Sequence, residues 1–275
     1  MKGVAVVTGG NRGIGAAIAL AMAERGYHVK IMCRSGERAR TFIEEAAARR
    51  IGSIEWIAGD LGSIAGARDA AERIKRECPN LSVFIHNAGM WPLKLEFNED
   101  GLEQSFVTNH LGPFIINILL EDLFTANRCR LVQVSAGLYL IGMKDYEAAA
   151  AGTNFSILRT YATTKLFNLI CTMQFARLWE GKGVTFNAVH PGVVRTGLGD
   201  TGGALGLFLR CAKLLQLTPE EGARAPLRLA DNAKFSGVTG KYFDRFREKD
   251  LAPIALDGAF NEGLREQAMK LGFGR

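Results

Sequence analysis

Short apolar runs recur along the first two thirds of the chain, separated by longer stretches of mixed character. GVAVVT (3–8), HVKIMC (28–33), SIEWIA (53–58), LSVFIH (81–86), RLVQVS (130–135) and VTFNAVH (184–190) are rich in β-branched residues and bounded by turn formers. Such near-continuous runs predict strands buried on both faces. Between them the pattern becomes helical. An alanine-rich stretch follows the first strand to about Arg25, and Gly26 stands where a helix ends. Further helices are expected over roughly 35–50, 63–77, 99–125 and 156–180, with a short one at the alanine run 148–151 and a last strand near 239–243. The remainder reads as more helical, and the last 30 or so residues carry no informative pattern.

Strands alternating with helices imply crossover units and a parallel sheet. The expected fold is therefore α/β, a doubly wound parallel sheet of the Rossmann type, and 275 residues suit one domain (1–275). Ligands of such sheets bind outside the carboxyl ends of the strands.

Composition narrows the function classes. The net charge is +6, but lysine and arginine are scattered without a block, which points to a solvated basic surface and away from nucleic acid. Five cysteines at 33, 78, 129, 171 and 211 form no C-x-x-C pair and fit reduced thiols. The first apolar run already reads as a strand, and no apolar run reaches the length of about 18 residues that suggests a spanning helix. A cytoplasmic protein without a membrane anchor is the expectation. Gly202 to Leu217 is the most apolar stretch, interrupted by Arg210 and Lys213.

The first turn carries candidate chemistry. Thr8-Gly9-Gly10-Asn11-Arg12-Gly13-Ile14-Gly15 lies between a strand and a helix. Its glycines let the backbone turn sharply and approach a pyrophosphate, and the helix N-terminus offers free N–H groups. A second pair, Tyr161 and Lys165, lies four apart on one helix face. A free tyrosine has a pKa of about 10, and a neighbouring ammonium favours its phenolate. Such a tyrosine gives a proton to a carbonyl or takes one from an alcohol.

The TGxxxGxG spacing of residues 8–15 resembles the short-chain dehydrogenase/reductase family. So do Asn87-Ala88-Gly89 after the fourth strand, the Tyr161-x-x-x-Lys165 pair and Pro191-Gly192. Asn109-His110-Leu111-Gly112, His190 to Thr196 (HPGVVRT) and Gly240 to Phe243 (GKYF) are similar to the retinol dehydrogenase and carbonyl reductase branch. The resemblance covers roughly 3–245. It implies Asn109 as a helix-kinking residue near Lys165, Asp60 and Leu61 flanking the adenine, and Val194 and Thr196 near the nicotinamide amide. NAD enzymes place a carboxylate after the second strand. Here Cys33-Arg34-Ser35 stands there, and with Arg12 it favours the 2′-phosphate of NADP(H) over NAD(H).

The family serine ends the fifth strand. By resemblance it falls at position 136, where this chain has Ala136. Ser135, its neighbour, faces the opposite way in an extended strand and is no obvious replacement, unless a bulge turns it inward. Tyr139 or a water is a candidate for the missing hydrogen bond. The segment 198–217 is expected to cover the substrate, and Trp91, Tyr139 and Leu198 to line an apolar site. Two functions follow: hydride transfer between NADP(H) and a small apolar carbonyl or alcohol, or an NADP(H)-binding sensor with little chemistry. A third reading puts 202–217 on a membrane surface. The stretch 137–156 resembles an insertion that covers a dimer face, so monomer and homodimer both stay open. His86 and His110 lack metal-ligand spacing, and no metal is expected.

Overall fold

The computed structural model describes residues 2–194 and 217–274. The expected cover, 198–217, lies outside the described residues except for Leu217, and so do Thr196 and Leu198. The elements run β1 (Val4–Thr8), α1 (Gly13–Glu24), β2 (His28–Cys33), α2 (Gly36–Ala48), β3 (Ser53–Ala58), α3 (Ile64–Glu77) and β4 (Leu81–His86). Then follow α4 (Gln104–Phe106), a π-helical turn (Val107–Leu111), α5 (Gly112–Leu119), α6 (Glu121–Ala126), β5 (Arg130–Val134), a 3₁₀ turn (Gly137–Ile141), α7 (Tyr146–Ala151) and α8 (Ile157–Leu178). Last come β6 (Thr185–His190), α9 (Pro219–Asp231), β7 (Tyr242–Asp244), β8 (Arg247–Lys249) and α10 (Gly258–Phe273).

Among the described residues the strands form one sheet in the order β3-β2-β1-β4-β5-β6-β7-β8. All pairings are parallel except the antiparallel last one. The order reverses between β1 and β4, where a crevice opens above the strands' carboxyl ends. The apolar runs divide between two cores. Val6, Phe84, Leu131 and Phe186 pack under α3, α5 and α8, while Val7, Ile85, Val132 and Val134 pack under α1 and α9. Both sheet faces are thus covered, as the unbroken apolar strands require.

Three features depart from the expectation. The helix expected over 99–125 is broken by the π-helical turn at Asn109. Arg247–Lys249 pairs as an exposed edge strand. The final residues form α10, whose Gly272 lies against Ile115 and whose Phe260 meets Phe167 at 5.8 Å. The outer face of α5 and α8 is therefore covered by the chain's own last helix, not only by α7. Among the described residues no helix is long and apolar enough to cross a membrane, and no cluster of metal-ligating side chains occurs.

Candidate active site

The crevice is built first from backbone. Thr8 ends β1 with its hydroxyl accepting from the Asn87 and Ala88 N–H groups, both at 2.9 Å. The Asn87 amide returns to the Thr8 carbonyl at 2.9 Å and the Gly9 carbonyl at 3.3 Å. Thr8 and Asn87 thus lock the ends of β1 and β4 together and hold the glycine turn. Gly9 and Gly13 take φ of 64° and 55°, where a side chain is strained. A Cβ on Gly15 would collide with the Gly9 carbonyl and the Asn87 amide. Asn11 and Ile14 flank the turn, and Ile14 also reaches toward Gly222 of α9.

Helix capping bears on this turn. α2, α3 and α10 begin with Ser35, Ser63 and Asp257, whose side chains accept from their own first turns. α9 has a full capping box of Thr218 and Glu221. Like α8 at Ser156, α1 begins, at Arg12, with no side-chain cap. Its first N–H groups have no side-chain partner, and the helix dipole favours an anion there. A dinucleotide pyrophosphate fits this cradle.

Arg12 and Arg38 face a cleft of about 470 Å³ together with Asn11, Glu37, Thr41 and Glu45. Arg34, expected to converge with Arg12, instead lies 3.9 Å from Asp60 with its side chain 72% exposed. Arg38 is the cation that sequence reasoning missed. It lies one turn beyond Arg34 at the start of α2, and only that spacing hinted at it. Asp60 accepts from the Gly62 N–H at 2.8 Å. The Leu61 side chain is buried in the core against Gly112, which leaves its backbone as the part that can flank an adenine.

At the other end, the π-helical turn places Asn109 in full burial. Its side chain accepts from the Met90 N–H at 2.7 Å and donates to the Met90 carbonyl at 2.8 Å and to Thr164 at 3.1 Å. Asn168 donates to the Asn109 carbonyl at 2.7 Å. These bonds tie α8 to the segment after β4. A Cβ on Gly89 would stand 3.3 Å from the Asn109 carboxamide oxygen and 3.5 Å from Lys165 Nζ. Lys165 donates to the Val134 carbonyl at 3.3 Å, and its ammonium is 5.5 Å from the centre of the Tyr161 ring. Gly89, Asn109, Tyr161 and Lys165 therefore gather at the carboxyl ends of β4 and β5. Burial pushes the Tyr161 phenol up to about 12 and the Lys165 ammonium down to about 8. Trp91 stacks on Tyr161 with ring centres 4.3 Å apart and planes 17° from parallel.

The substrate-oxygen side differs from the expectation. Ser135 continues the β5 ladder by donating its N–H to Val189 at 2.8 Å, so no bulge turns it. It shares the parity of Leu131 and Gln133, and its hydroxyl is buried without a partner. Ala136 stands extended at the family position. Tyr139 does not line an open site: its ring is buried against Tyr242, and its oxygen accepts from the Ala252 N–H at 3.1 Å. Pro191 is buried, and Gly192 takes φ 98° with Leu217 close by. Val194 bridges to Leu217 and packs on Gly222. His86 and His110 are buried and His190 half-buried, and burial lowers all three pKa values, to about 4 and about 3 for the first two.

The model of the short chain dehydrogenase family matches residues 3–203. Human retinol dehydrogenase 14 is 34% identical over 278 residues, covering 92% of this chain and 81% of that protein. Human retinol dehydrogenase 13 is 32% identical, covering 92% and 79%. An uncharacterised protein from Mycobacterium paratuberculosis has the same fold, with a TM-score of 0.75 at 25% identity over 98% of this chain and 92% of its own. A structure described as an NAD(P)-dependent gluconate 5-dehydrogenase from Beutenbergia cavernae, with NADP bound at low occupancy, gives 0.71 at 25% identity over 88% and 94%. With a glycine cradle at one end of the crevice, a half-buried tyrosine beside a buried lysine at the other, and relatives alike over nearly all its length, this chain belongs to the short-chain dehydrogenase/reductase family of oxidoreductases.

Proposed function

We propose that this chain moves a hydride between NADP(H) and a small apolar carbonyl or alcohol, with Tyr161 as the proton donor and acceptor. The observation that carries this reading is the half-buried Tyr161 with the buried Lys165 beside Gly89. When bound, the nicotinamide supplies or takes the hydride. The chain's own residues do the rest. With its pKa pushed up to about 12, the Tyr161 hydroxyl keeps its proton at neutral pH and is ready to give it to a carbonyl oxygen. In the oxidative direction the same group must accept a proton, and the Lys165 ammonium favours the phenolate that does so. That ammonium is itself brought to about 8 by burial, so its charge is lost as the solution becomes mildly alkaline.

The uncapped start of α1 takes the pyrophosphate, and Arg12 and Arg38 take the 2′-phosphate. The names of the relatives, retinol dehydrogenases, support an apolar alcohol or its aldehyde as substrate. Free cysteines at 33, 78, 129 and 171 suit a reducing, cytoplasmic setting.

A second reading rests on Ala136. Without the hydroxyl that would hold the substrate oxygen, the chain is an NADP(H)-binding sensor with little turnover. Oxidation of NADPH and of NADH with a panel of apolar aldehydes and ketones separates the two. Turnover that prefers NADPH supports the enzyme. Tight NADPH binding without turnover on any carbonyl supports the sensor.

A further inference from the structure

We propose that Trp91 is a positioning residue, which by stacking on Tyr161 fixes the direction of the phenol hydroxyl and does not itself form the wall of the substrate site. This rests on the reading of Tyr161 as the proton donor. The geometry is specific. The indole and phenol rings lie 4.3 Å apart and within 17° of parallel, a stacked aromatic pair rather than a chance edge contact. The Lys165 ammonium lies 5.5 Å from the same phenol ring. Two partners from two different segments therefore bear on one ring.

The placement of Trp91 is built, not incidental. Its preceding residue, Met90, has both backbone groups held by the Asn109 side chain, the N–H at 2.7 Å and the carbonyl at 2.8 Å. Asn109 is in turn tied to α8 through Thr164, whose hydroxyl donates to the Tyr161 carbonyl at 2.8 Å. A closed circuit results: Tyr161, Thr164, Asn109, Met90, Trp91 and back to the Tyr161 ring. The polar part fixes the backbones, and the stack fixes the side chain. A tyrosine whose hydroxyl must meet a substrate oxygen loses rate when the ring swings, because proton transfer demands tight orientation. Ala136 sharpens the need. With no serine hydroxyl there to orient the substrate oxygen, more of the alignment falls on the phenol.

The test compares Trp91→Leu, which fills space without a flat face, with Trp91→Phe, which keeps the face and removes the indole N–H. NADPH affinity and far-ultraviolet circular dichroism report that each variant is folded, since Trp91 lies outside the phosphate turn. Trp91→Met stands in if the leucine variant does not fold. The expected result is a fall in kcat of about tenfold for Trp91→Leu with substrate KM changed by less than about threefold, and recovery to within about threefold of wild type in Trp91→Phe. A loss confined to KM makes Trp91 a substrate wall and overturns the proposal. Equal losses in both variants assign the effect to the indole N–H and overturn it as well, as does unchanged kcat in Trp91→Leu. Tyr161→Phe is measured alongside. If it stays active, the reading of Tyr161 itself fails. If it is inactive while Trp91→Leu is normal, only the role of Trp91 fails.

Discussion

The two ends of the crevice are made by different means. At the end where β1 meets α1, the work is done by backbone: glycines with positive φ, an uncapped helix start, and the mutual bonds of Thr8 and Asn87. At the end where β4 and β5 meet α8, side chains do it: Asn109, Tyr161, Lys165 and Trp91, each held by another. A backbone site is nearly all or none, because one added methyl group at Gly15 has nowhere to go. A side-chain site is graded, because each contributor can be removed singly without closing the space around it.

Substitutions put this contrast to the test, and the largest effect is expected from the phenol. Tyr161→Phe should lower kcat by about 10²–10⁴-fold, as removal of a general acid does, with NADPH affinity intact by fluorescence titration. Retained turnover would break the assignment of chemistry to this end. Next comes Arg12→Ala combined with Arg38→Ala. Charge-assisted bonds of about 1.5–3 kcal/mol translate into a rise of roughly 10–100-fold in NADPH KM for the pair, with NADH scarcely affected; Arg34→Ala, already facing Asp60, should do less.

Ala136→Ser should raise kcat by about tenfold, less than the ~10²–10³ seen when an oxyanion donor is removed. Ser135→Ala should leave kcat within about twofold, given its buried hydroxyl. The smallest effect is a pH dependence. Carbonyl reduction should hold below pH of about 8 and decline above it, as the Lys165 ammonium, lowered to about 8, loses its proton; Tyr161, raised to about 12, keeps its own throughout. A rate that climbs through this range in the reductive direction contradicts that order.

The sheet was legible because both its faces are buried, so six strands stood out as unbroken apolar runs. β8 was not, since Arg247, Glu248 and Lys249 are all exposed, as suits a charged edge strand. The π-helical turn leaves the apolar spacing nearly unchanged and so was invisible, although the asparagine in it was recognised. The phosphate turn was readable because it needs particular glycines in sequence. Arg38 was hidden among ordinary helix-surface charges, and nothing local showed that the Leu61 side chain serves the core. Tyr139 failed for a similar reason: nothing local announces that its oxygen will meet the Ala252 N–H more than a hundred residues away. The contact of Trp91 with Tyr161 is long-range too, and a sequence shows only that both rings exist.

α8 lies between the sheet and α10, with Phe167 meeting Phe260 and Gln174 bonded to the Asn261 carbonyl. The helix that bears Tyr161 and Lys165 is thereby backed by α10 around its middle. Its amides should be among the slowest in the molecule to exchange with deuterium. Adaptation to a differently shaped molecule would then have to come from the connections after β4, β5 and β6, with the backed helix serving as a fixed anvil against which new shapes are tried.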